Sequence, residues 1–172
     1  MLQKRYSEVP DLVQPLLTKT DNVPLQSLLA EALLRTGRKD EGVAAAQKAI
    51  KTGDDLVLNN LAYALADTNT DLILAKQYAE EAVSKIEERA GKVTLSSISD
   101  SDLALVNSLG TAWDTLGWVY FQSGDLLQAE RYIDASWRLC QNGPVGLHLG
   151  QIYDRQGKRR AAIHVWQLFC SK

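Results

Sequence analysis
The sequence predicts an all-α chain, and three observations carry that reading. Prolines stand only at Pro10, Pro15, Pro24 and Pro144, so residues 25–90 run without one. Apolar residues there recur three and four apart, as in Leu28, Leu29, Ala32, Leu33 and then Val43, Ala46, Ala49, Ile50. That is the helical period; no run shows the strict alternation of a strand. The third observation is self-similarity. Shifting by 33 residues carries Leu116-Gly117 onto Leu149-Gly150, Tyr120 onto Tyr153, Gly124 onto Gly157 and Ala129 onto Ala162. A fixed period of this length marks a repeat architecture.

The helical elements follow in order from that register. Residues 1–22 read as the second helix of a truncated leading unit. Residues 23–54 form a first helix pair, with Gly37 at its turn and Ala46 and Ala49 as small residues at the helix crossing. Gly42 stands where alanine is expected, a substitution that loosens a helix by ~1 kcal/mol. Residues 55–90 form a second pair, with Leu61-Ala62 at the close approach and Ala75, Ala79 and Ala82 along the spine. The stretch GKVTLSSISDSD (91–102) is rich in Ser and Asp and reads as a loop. Ser99 followed by Asp102 has capping-box spacing, and Leu103, Val106 and Leu109 form a stripe running into Trp113. The first helix of the third pair is therefore lengthened at its start, making 91–109 an insertion and helix extension, with Gly110 a place for a kink. Pairs at 110–142 and 143–172 complete the chain, which reads as one domain.

The segment WDTLGWVYFQSGDLLQAERY (113–132) carries the most specific pattern: Trp113-x2-Leu116-Gly117-x2-Tyr120, then Gly124-Asp125 and Ala129, with Ile133 in place of an aromatic. Gly117 removes the side chain where two helices cross, and Gly124 suits a left-handed helix end. This pattern resembles the tetratricopeptide repeat family, and the spacing looks like its bacterial members. The family's proline near the end of each repeat is missing; Gln141 stands there in the third, with Gly143-Pro144 close behind. The resemblance implies a right-handed α-solenoid of antiparallel helix pairs that binds a protein or peptide partner in a concave groove without catalysis. It also implies which positions face that groove. On this chain they include Asn59, Tyr63, Asp114, Trp118, Phe121, Gln151 and Arg155. Trp113 takes the family's core position, so Trp118 is expected to serve binding and Trp113 folding. Asn60 falls where some members clamp a peptide carboxylate. Ser27 and Glu31 occupy the places of the other clamp residues, which speaks against such a clamp.

Composition excludes several alternatives. The net charge is −2, so no broad basic field exists to hold nucleic acid. The opening MLQKRYSEVPDLVQ lacks the apolar core of a signal peptide, and no apolar run is long enough for membrane insertion. His148 and His164 lie 16 residues apart with no Cys or carboxylate at ligand spacing, so neither metal nor cofactor is expected. His164 and Cys170 fall on different faces of one helix, which excludes a nucleophile–base pair. Cys140 and Cys170 are expected to be free thiols. Two other roles fit the same residues: a C-terminal positioning module of a larger multidomain protein such as an enzyme, and a homo-oligomerisation module. The last helix carries Val165 and Phe169, one of which is expected to stay partly exposed and to favour self-association through the repeat ends.

Overall fold
The computed structural model describes residues 2–170, with the side chains of 6–51, 53–94 and 96–168. Among these residues every regular element is helical. The α-helices are α1 (Leu2–Leu17), α2 (Val23–Arg35), α3 (Lys39–Ala49), α4 (Asp55–Asp67), α5 (Leu72–Ala90), α6 (Asp100–Gln122), α7 (Leu126–Leu139), α8 (Gly143–Arg155) and α9 (Arg159–Cys170). Helices α2 and α3, α4 and α5, α6 and α7, and α8 and α9 pack as consecutive pairs, and α1 packs on α2. The first helices of the pairs also touch in sequence, α2 on α4, α4 on α6 and α6 on α8. They make one layer, and the second helices make the other.

The tight turns within the pairs share one local mechanism. Each first helix ends at a polar residue, Thr36, Thr68, Ser123 or Gln156. The next residue enters the left-handed region: Gly37 at φ 84°, Asn69 at 46°, Gly124 at 85° and Gly157 at 77°. The following N–H then reaches back five residues, as Arg38 does to the Leu33 carbonyl (2.9 Å) and Asp125 to that of Tyr120 (2.9 Å). This is the Schellman arrangement, which satisfies the helix's terminal carbonyls. Asn69 fills the place that glycine holds elsewhere, because its short polar side chain tolerates the left-handed region.

Helix starts are equally local. Asn22, Asp54, Asp71, Asp125 and Asn142 each accept an N–H three residues on. Ser99 and Asp102 form a reciprocal capping box at the start of α6. From there α6 runs for 23 residues through Gly110. Gly110 serves a close approach, because a Cβ there would collide with the Cys140 side chain. The Gly110 carbonyl also accepts a hydrogen bond from the fully buried Ser136 hydroxyl (2.7 Å). Ser136→Ala would leave that hydroxyl's place apolar and the carbonyl without its second partner. An unfolding midpoint in urea is expected to show a loss of ~1 kcal/mol.

Packing adds a reason for the glycine at Gly42. A Cβ there would meet the Leu34 side chain, so the missing methyl lets α3 lie closely on α2. Gly117 does the same against Ile133, and Gly150 against the Trp166 indole. The core runs along the layer interface, with Leu34, Leu58, Leu61, Leu65, Leu116, Ile133, Leu149 and Ile152 fully buried. Val165 is also buried, so of the two residues named for the open end only Phe169 is left to carry the expected exposure. Among the described residues the exposed large apolar side chains of α9 are Ile163 and Leu168; the Phe169 side chain, on which the expectation also falls, lies outside them.

Candidate functional site
The seven groove residues expected from the sequence sit on α4, α6 and α8, and they divide between two cavities. The first, of about 430 Å³, is lined by Asn59, Tyr63 and Asp114 together with Glu31, Asn60 and His148. One cavity therefore touches α2, α4, α6 and α8, so the first helices curve around it. The second, of about 280 Å³, is lined by Trp118, Phe121, Gln151, Asp154, Arg155 and Trp166.

The floor between the cavities is built from stacked rings. The Trp118 indole lies 4.2 Å from the His148 ring and 5.0 Å from Phe121, close to parallel with both. Trp118 is thereby only 7% exposed. This corrects its expected role as an open binding anchor: α8 lies close enough that His148 covers it. Trp113 was expected to be the core tryptophan, and it too is placed differently. It is partly buried at the contact of α5 and α6, and its Nε1 donates to Glu87 Oε1 (2.9 Å). Phe121, Tyr63 and Gln151 remain half-buried, and Arg155 is exposed with its guanidinium 6.0 Å from the Phe121 ring.

His148 is the principal residue that the sequence reading missed. Its Nδ1 lies 2.9 and 3.0 Å from the two Asp114 carboxylate oxygens, and both residues are buried. Spacing within one helix revealed no partner, because the carboxylate stands one repeat earlier. The available signal was the offset of 34 residues, one repeat length plus one, between an acid and the histidine borne on a first helix. Pairing satisfies both groups away from water, where a lone buried charge is costly.

Glu31, at one of the clamp positions, is committed elsewhere in this fold. It accepts from Tyr6 (3.1 Å) and from Arg35 (2.8 Å), and Arg35 also reaches Asp67 (2.8 Å). Burial works against the Arg35 guanidinium, but its hydrogen bonds to Glu31 and Asp67 outweigh this and raise its pKa. The Tyr63 phenol is held above its ordinary value by burial first, then by the charge of Asp67, with Arg35 opposing and Asp114 and Glu31 adding. Three buried polar atoms along this face have no hydrogen-bond partner in the protein: Asn59 Oδ1, Trp118 Nε1 and Gln151 Oε1. Among the described residues no cluster of three His, Cys, Asp or Glu is placed to hold a metal, and no helix is long and apolar enough to cross a membrane.

No family model matches the chain, and no curated protein matches it. Among solved structures it is similar to PilF of Pseudomonas aeruginosa, a tetratricopeptide helical-repeat protein. The TM-score is 0.63 at 18% identity, over 99% of this chain and 78% of that one. At that identity the likeness concerns the fold. The chain has a tetratricopeptide-like helical-repeat fold.

Proposed function
We propose that this chain binds a protein or peptide segment along the face formed by α2, α4, α6 and α8, and that the helix pairs 23–54, 55–90, 110–142 and 143–172 act as the repeats that build it. The single observation behind this reading is the row of unpartnered polar atoms, Asn59 Oδ1, Trp118 Nε1 and Gln151 Oε1, beside two cavities on one face. Buried polar groups are nearly always paired, so a cluster without partners favours an occupant that supplies them. A polypeptide carries both donors and acceptors at the spacing of a chain. The half-buried Tyr63 and Phe121 rings give such an occupant apolar contact.

The test is site-specific photo-crosslinking in cells. Benzoylphenylalanine replaces the exposed Asn60 or Leu147 on first helices, or the exposed Ile73 or Leu127 on second helices. Adducts are expected from 60 and 147 and not from 73 or 127. Tyr63→Ala is expected to reduce the adduct yield, in line with a loss of ~2 kcal/mol for a central aromatic. Adducts formed only from 73 and 127 would move the binding surface to the outer layer.

A further inference from the structure
We infer that the cavity between Glu31, Tyr63 and Asp114 receives a cationic side chain, arginine or lysine, presented by the bound segment. The inference rests on the binding face proposed above and names the chemistry of one position on it. Three carboxylates, Glu31, Asp67 and Asp114, lie on or beside this cavity, against the single guanidinium of Arg35 and the imidazole of His148. The carboxylates outnumber the cations whichever form His148 takes. The lining contains no lysine or arginine.

Asn59 supplies an independent indication. It stands between this cavity and a smaller neighbouring one, is 6% exposed, and its Oδ1 has no partner in the protein. The missing complement of a carbonyl oxygen is a donor. A guanidinium or ammonium brings donors and no acceptor, and its charge strengthens each hydrogen bond it makes. Tyr63 lines the same wall, and an aromatic ring attracts a cation held over its face. The Tyr63 phenol itself feels the excess of negative charge, as its raised pKa reflects after burial is counted.

Two of the other cavities lack this combination, and a smaller one that shares the Asn59 wall has its carboxylate, Asp55, paired with Arg89. The one beside Phe121 already has the Arg155 guanidinium at its rim. The one between α1, α2 and α3 carries Glu41 and Lys48 together and no unpartnered buried atom. The binding face is thus polarised along its length, acidic toward α2 and aromatic with a cation toward the end of α8.

The experiment titrates the 15N-labelled full chain with four blocked amino acids: the N-acetyl methylamides of arginine, lysine, norleucine and glutamate. Single residues of this size bind in the millimolar class, ~1–10 mM, which amide shifts can follow. Arginine and lysine are expected to shift the side-chain amides of Asn59 and Asn60 and the backbone of Tyr63. Glu31→Gln should weaken that response at least ~5-fold, and salt at ~0.5 M should weaken it further. Because Glu31 and Asp67 both hold Arg35, Asn59→Ala is the second variant, read at Asn60 and Tyr63, with an expected ~2-fold loss from the missing acceptor. Equal shifts at these residues from norleucine or glutamate would overturn the preference for a cation and leave the binding face standing. Shifts confined to α5 and α7 would count against both. Absence of any response to arginine and lysine would overturn the cation site, and the crosslinking result would still decide the face.

Discussion

Trp118→Ala is expected to destabilise the fold by ~3–5 kcal/mol, the usual cost of deleting a buried aromatic ring. The indole is stacked between His148 and Phe121, so its removal opens a void beneath the Asp114–His148 pair. In a chain of this length that loss corresponds to a fall of roughly 10–15 °C in melting temperature. Trp113→Ala is expected to cost less, ~1–2 kcal/mol, because the ring is only partly buried and its hydrogen bond to Glu87 is exposed. Thermal melts of the two variants decide the ranking. If Trp113→Ala melts lower than Trp118→Ala, the stacking of α8 over α6 is wrong, and the open ring face of Trp118, beyond its Nε1, returns as a candidate anchor for the partner.

The second large effect belongs to Gly117→Leu, expected to cost ~3 kcal/mol or more by overpacking. A Cβ at this position would stand 3.1 Å from the Ile133 backbone nitrogen and closer still to its side chain. The backbone of α7 cannot yield as a flexible side chain would. Gly117→Ala should therefore also destabilise, against the ~1 kcal/mol that alanine gains over glycine in a helix interior. Gly91→Ala is the control, since its backbone is right-handed helical and a Cβ there meets only ordinary contacts, the nearest at 3.5 Å, and it should be neutral or slightly stabilising. Adding Ile133→Ala to Gly117→Ala should cost less than the sum of the two single changes, because they share one contact. Strict additivity in denaturant unfolding would show that the two residues do not meet.

These two positions separate what was legible in the chain from what was not. Gly117 was identified as a helix crossing from the Leu-Gly spacing and its recurrence at Leu149-Gly150, and the structure places its partner at Ile133. The two tryptophans were assigned from helical phase. Phase puts Trp118 on the same side as Asp114 and Phe121, but it does not say how near the next helix comes. The same limit applies to Asp114 and His148, which lie on different helices 34 residues apart. It applies again to Glu31, whose engagement with Tyr6 depends on where α1 docks.

What the sequence by itself determined is the local part of this protein: the helical period, the capping box at Ser99, and the glycine turns at Gly37, Gly124 and Gly157. Each depends on φ, ψ and hydrogen bonds within about six residues, so residue type and spacing carry the information. Only the tertiary structure decided the curvature of the first-helix layer. Curvature arises from small rotations between neighbouring helix pairs, set by the packing of many side chains at once. It folds Trp118 under His148, pairs His148 with Asp114, and draws Glu31, Asn59 and Tyr63 around one cavity. A one-repeat spacing brings such groups to the same face, but their contact depends on the angle at which one pair meets the next.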